Sequence, residues 1–160
     1  MSVYTLHQAW RSECQAYRFG PKVRPTAYEH RQWLGAMAEQ KAATLIADLG
    51  HKVTPQDHND RCDLVVDDGL RVEVKASRWT DAQRGSGRYQ ALWHNEADLV
   101  AWYLVDADVW YVIPTSEFDR PTNVAIWSRD PDKYTGRWSV YQERWDLLSR
   151  ALPFSIQEES

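Results

Sequence analysis

"DLVVDDGLRVEVK", residues 63–75, is the stretch whose reading decides the fold. Two short apolar runs flank Asp67-Asp68-Gly69. Apolar residues that alternate with polar ones mark a half-buried strand, and a Gly-ending turn between two such runs marks a β-hairpin. Leu70, Val72, Val74 and Ala76 share one face of the second strand, while Arg71, Glu73 and Lys75 share the other. On the first strand, Leu64 and Val66 belong with the apolar face, Asp63 and Val65 with the polar one. Parity then chooses the turn. A two-residue turn at Asp68-Gly69 sets Asp63 opposite Val74, on the wrong face. A three-residue loop sets Asp63 opposite Glu73, Leu64 opposite Val72 and Val66 opposite Leu70. Such loops commonly combine a type I turn with a left-handed residue, for which Gly69 is suited.

Opposed side chains on paired strands have Cβ atoms about 5 Å apart. Two carboxylates that close repel unless something neutralises them. A hard divalent cation does so, and Mg2+ takes carboxylates, water and phosphate oxygens. Glu-x-Lys alone also fits a solvent-facing strand of alternating charge; Asp63 placed opposite Glu73 by matching parity says more. A third carboxylate, Glu39, lies in a helix beside its apolar stripe, with Gly35, Ala36, Ala42 and Ala43 as small neighbours. Small side chains there admit a sheet edge, a metal or a phosphate backbone; a polar boundary residue is the plainer alternative.

That helix is expected over about residues 27–49. Thr26-Ala27-Tyr28-Glu29 matches a capping box, Leu34, Ala38, Ala42, Leu45 and Leu49 form a stripe, and Gly50 is a C-cap. Upstream, Val3 to Phe19 has a weaker helical spacing, ended by Gly20-Pro21. Downstream, Lys52 to Thr54 reads as a short strand, Arg78 to Arg88 as a flexible basic loop, and 97–105 and 109–113 as strands. Val124 to Ser128 is a further strand candidate. Ser139 to Ala151 reads as a helix, with Ser139 and Gln142 at capping-box spacing. The pattern is α/β: a central mixed sheet of about five strands flanked by helices.

Glu39, Asp63 and Glu73-Val74-Lys75, on helix, strand and next strand, resemble the core of the PD-(D/E)xK nuclease superfamily. "NDRCDLVVDDGLRVEVKAS" followed by "ADLVAWYLVDADVWYVIP" is similar to small single-domain members, such as archaeal-type Holliday junction resolvases and intron-homing enzymes. The Pro of the superfamily's name is absent, since Cys62 precedes Asp63. The resemblance implies a restriction-endonuclease-like core and a metal-dependent DNA endonuclease, with Mg2+ as cofactor and Mn2+ as a substitute. It implies Asp63, Glu73 and the backbone carbonyl of Val74 as metal ligands, and Glu39 binding or orienting a second ion, directly or through water. Lys75 is implied to position or deprotonate the attacking water and to contact the scissile phosphate. The implied products carry a 5′-phosphate and a 3′-hydroxyl. Arg78, Arg84 and Arg88 are candidates for DNA backbone contacts, and Ser77 for a phosphate or the metal's surroundings. Asp98 is better explained as a strand cap or ion pair than as a ligand. His58 and His94 read as exposed loop residues.

The totals bound these readings. The chain has 160 residues, enough for a single nuclease domain, divided as an N-terminal arm (1–25), a core (26–114) and a C-terminal extension (115–160). Net charge is −4, unlike the usual DNA binder, but residues 10–31 and 71–90 are each net +3, and 91–119 carry no Lys or Arg. Such polarity suits one basic face meeting phosphates, or a solvated mixed surface. Nine Trp serve as core or interface anchors, or as platforms for bases. Cys14 and Cys62 form no CxxC pair, which fits a reducing cytosol and argues against a zinc ribbon. Leu99 to Val105, the longest near-continuous apolar run, is too short to span a bilayer, and no signal peptide is evident. A cytoplasmic protein of a bacterial or phage-infected cell is expected. Lacking an appended base-reading module, the chain is expected to be structure-selective, like a Holliday junction resolvase, and to act as a homodimer or higher homo-oligomer. A sequence-specific homing or restriction-type endonuclease is the alternative, and a non-catalytic DNA-binding protein on a nuclease fold the third.

Overall fold

In the computed structural model, residues 27–57, 60, 62–81, 87–93, 96–118 and 122–150 are described. The chain divides into two compact units, residues 1–32 and 33–160; the sheets belong to the second. The expected helix over 3–19, the Thr26 cap, and Arg84, His58 and His94 fall outside the described residues.

Helix α1 spans Ala27–Asp48. It ends as a Schellman motif: Gly50 N–H donates to Ala47 O at 2.9 Å and His51 N–H to Ile46 O at 3.3 Å. Gly50 has φ 93°, a left-handed conformation that costs glycine little. Leu34, Ala38, Ala42 and Ile46 are its buried stripe. The expected stripe is corrected at its end. Leu49 lies past the last helical residue, where the chain turns, and is 53% exposed; Ile46 takes the core position.

Strands β1 (Val53–Pro55), β2 (Leu64–Val66), β3 (Leu70–Ser77), β5 (Leu99–Leu104) and β6 (Val109–Pro114) form one sheet in the order β1-β2-β3-β5-β6. It is mixed: β3 and β5 run parallel, and the other neighbours antiparallel. Strands β4 (Tyr89–Trp93) and β7 (Thr122–Ile126) pair antiparallel as a separate ribbon. The hairpin register is the one parity requires, with Leu64 opposite Val72, Val65 opposite Arg71 and Val66 opposite Leu70. The turn chemistry differs from expectation. Asp67 and Asp68, not Gly69, are left-handed, at φ 50° and 62°. Asp67 is tied down from outside the turn, its carboxylate accepting from Lys52 N–H at 2.9 Å and lying 2.6 Å from His51 Nδ1.

The sheet is buried on both faces. On one, Leu64, Val72, Val74, Leu99, Ala101, Tyr103 and Trp110 pack with the α1 stripe. On the other, Val100, Trp102, Leu104, Tyr111 and Ile113 pack with Tyr89, Ala91, Val124 and Ile126 of the ribbon. Strand β5, covered twice, is buried at every position, as parallel-paired central strands are. A ribbon rather than a helix thus covers the second face among the described residues. Nor is the region after 114 peripheral, since β7 pairs β4 and Trp145 and Leu148 enter the α1-side core. The helix expected over 139–151 is instead a 3-10 turn at Ser139–Tyr141 and a short α2 at Leu147–Arg150. Between them Glu143 adopts φ 50°. It docks on β6, its N–H donating to Trp110 O at 2.9 Å and its carboxylate accepting from Trp110 N–H at 2.8 Å.

Candidate active site

Strand β3 alternates Leu70, Val72 and Val74 toward α1 with Arg71, Glu73 and Lys75 toward the ribbon side. Its parallel pairing sets Glu73 beside Val100 and Lys75 beside Trp102, so both charged residues rise from the central sheet at the margin of an apolar core. Burial is partial, with side-chain exposures of 17% for Glu73 and 31% for Lys75, and their carboxylate and ammonium are directly bonded.

Asp63 comes from the other hairpin arm. The β2–β3 ladder ends at Leu64 opposite Val72. Asp63 N–H still reaches Val72 O at 3.1 Å, but its side chain turns into the sheet edge, where Oδ2 accepts from Val74 N–H at 2.6 Å. A carboxylate thus fills the place that a ladder carbonyl would hold. In a strand, the N–H and C=O of one residue project to the same side, so Val74's carbonyl leaves β3 along the edge that Asp63 caps. Asp63, the Val74 carbonyl and the Glu73–Lys75 pair therefore surround one short stretch of β3. Two carboxylates and a carbonyl are hard oxygen donors, the set that suits Mg2+ or a similar divalent ion.

The remaining candidates are placed as follows. Glu39 is half-buried on α1, whose buried stripe packs on the opposite sheet face. Among the described residues, no group of three or more His, Cys, Asp and Glu side chains comes together as a metal cage. Ser77 is buried, and its Oγ accepts from Trp102 Nε1 at 2.8 Å, a packing position inside the ribbon-side core. Arg78 is exposed just past the end of β3, and Arg88 is half-exposed just before β4. Asp98 is an ion-pair partner: its carboxylate takes Arg71 Nη2 at 2.9 Å, Nε at 3.2 Å and the backbone N–H at 2.8 Å. That grip holds Asp98 below the ordinary carboxylate range, with burial opposing it. Cys62, in the position before Asp63, is buried. Burial pushes its thiol up, and the neighbouring Asp63 charge adds to the shift.

Sequence reasoning missed β4 and with it the outward row of Gln90 and Asn123. The signal was present as Tyr89-Gln90-Ala91-Leu92, an alternating run placed at the end of a basic loop.

No known family profile matches the chain, and no curated protein sequence does. Solved structures do. "The structure of a bacterial homing endonuclease: I-Ssp6803I" is similar to this chain with a TM-score of 0.61 and 25% identity, over 75% of this chain and 92% of that one. The mixed sheet with few helices that carries Asp63, Glu73 and Lys75 is thus a fold shared with a bacterial homing endonuclease.

Proposed function

We propose that the chain is a divalent-metal-dependent DNA endonuclease with a restriction-endonuclease-like, PD-(D/E)xK core, acting on duplex DNA in a sequence-specific manner. The observation that carries this reading is the convergence at Val74. Asp63 caps its backbone N–H at 2.6 Å, while Glu73 and Lys75, joined to each other, flank it on the ribbon-side face. Asp63, Glu73 and the Val74 carbonyl would hold the ion, Mg2+ or Mn2+; Glu39 rides on the helix that covers the other sheet face and is left out of this set. When bound, the ion supplies positive charge at the phosphate and favours ionisation of a water.

The chain's own groups account for the rest. Lys75, bonded to Glu73, is the cation within reach of that carboxylate, and its ammonium donates to a phosphate oxygen or to the attacking water. As the water oxygen bonds phosphorus it gives up a proton to solvent, the bond from phosphorus to the 3′ oxygen breaks, and the 3′ oxygen leaves and takes up a proton. Exposed Arg78 suits a backbone contact that fixes position without reading sequence. Cutting both strands takes two such sites, hence a homodimer or larger assembly. Such an enzyme works where DNA is, in the cytoplasm of a bacterial or phage-infected cell. Among the described residues, no helix is long and apolar enough to cross a membrane.

Of the two substrate readings, sequence-specific cleavage is favoured because a solved structure similar to this chain is that of a bacterial homing endonuclease. The test is cleavage of a randomised duplex library and of a four-way junction in Mg2+, with Glu73→Ala and Lys75→Ala alongside. Cutting within a common motif is expected, with losses of about 10²-fold or more in each variant and little change in melting temperature. Paired nicks at the crossover with intact duplex would restore the structure-selective, resolvase-like reading. Binding without cutting would leave a non-catalytic DNA-binding protein, and cleavage that survives both substitutions would sink the assigned site.

A further inference from the structure

The ribbon of β4 and β7 has two unlike faces. Tyr89, Ala91, Val124 and Ile126 point into the core. Outward, the register sets Gln90 beside Ala125 and Leu92 beside Asn123, and one step further Arg88 beside Trp127. Leu92 is 59% and Trp127 53% exposed, and Gln90 and Asn123 are exposed as well. No carboxylate stands in this outward row. Arg88 is pre-ordered, its guanidinium 5.0 Å from the centre of the Trp127 ring and its Nε donating to Gln90 Oε1 at 2.7 Å.

We propose that this outward face is the base-reading surface, and that it lies in the major groove of duplex DNA. The inference rests on the endonuclease reading above and adds to it the element that selects sequence. Four observations carry it. The first is shape, because the major groove, about 12 Å wide, admits a two-stranded β-ribbon. Chemistry comes second. Arginine pairs with guanine O6 and N7, and asparagine and glutamine with adenine N6 and N7, while apolar groups meet the thymine methyl. Arg88, Gln90, Asn123 and Leu92 supply one of each kind. The third is reach. Arg88 to Leu92 spans about 13 Å of strand, which matches roughly four base pairs at 3.4 Å each. The last is position, because β4 packs beside β3, the strand that carries Glu73 and Lys75. Arg88 thereby moves from a backbone contact to a base contact.

The experiment is selection of a randomised duplex library by the full chain in Ca2+ in place of Mg2+. Bound DNA is sequenced for the wild type, Gln90→Ala and Asn123→Ala, with cleavage in Mg2+, melting temperature and sedimentation measured for each. The wild type is expected to enrich a motif. Each variant is expected to lose preference at one position by roughly 5- to 150-fold, leaving the other positions and the melting temperature unchanged. Variants that keep every positional preference would overturn the proposal. So would variants that keep the motif but change sedimentation, which would make the face a contact between two copies. A wild type that cuts duplex in Mg2+ but enriches no motif overturns the ribbon's role and leaves the nuclease standing. One that neither binds nor cuts overturns both.

Discussion

Single residues separate what a local pattern reveals from what packing decides. Asp98 was legible as a strand cap, because a carboxylate beside an apolar run has few other uses; its partner, Arg71, was not. The pair sets an acid limb. An unfolded Asp titrates near about 3.9, and Arg71 holds the folded carboxyl lower. The pair's contribution is therefore present above the unfolded value and lost as pH falls through the folded one. Asp98→Asn should destabilise the protein at neutral pH, by at most about 1 kcal/mol since the pair is partly exposed. The gap from the wild type should close as pH falls below about 4; a gap that persists there would discard the ion pair as its cause. Ser77 shows the opposite case. Its place after Glu-x-Lys-Ala suggested a phosphate contact, yet its hydroxyl accepts from Trp102 Nε1 within the core. Ser77→Ala should cost about 1 kcal/mol in urea melts. Cys62 is buried with its thiol pushed up, so peptide mapping after thiol labelling at neutral pH should find it unmodified until the protein unfolds.

Among elements, the hairpin was legible in register from Leu64 to Leu70, but not at Asp63, where the ladder has ended and the side chain turns into the sheet edge, and only partly in its turn. Parity over a few residues dictates which side chains oppose. By contrast, the left-handed residues are fixed by Asp67's bonds to His51 and Lys52, a contact between elements that no local pattern carries. α1 was legible for the same reason the register was, since its stripe repeats, except at its end. Ile46→Ala, at 0% exposure, should cost about 2–5 kcal/mol, and Leu49→Ala less than about 0.5 kcal/mol. Equal costs in a denaturant titration would contradict the assignment of the stripe. The ribbon was hidden because β4 and β7 pair across a long stretch of chain, and short apolar runs do not name their partners. The 139–151 segment misled for a related reason. Its spacing favours a helix, but Glu143's two hydrogen bonds to Trp110 hold it against β6 instead.

At the scale of the molecule, the net charge of −4 is unevenly spread: residues 10–31 and 71–90 are each net +3, while 91–119 carry no Lys or Arg. DNA affinity should therefore fall with salt, and Arg78→Ala should reduce the slope of log affinity against log salt by about 1, uniformly across sequences. An unchanged slope in a salt titration would remove Arg78 from the contact set. One consequence reaches beyond catalysis. β3 runs on to Ser77 after its ladder with β2 has stopped at Val72, and among the described residues no other strand pairs with that border, which another chain could join. Asp63 stands at that border with its carboxylate on the Val74 N–H, and Lys75 follows with a charge of its own. The residues that would grip a phosphodiester also guard the protein against sticking to itself. A chain stripped of Asp63 should turn cloudy on gentle warming sooner than its parent, whether or not any DNA is present.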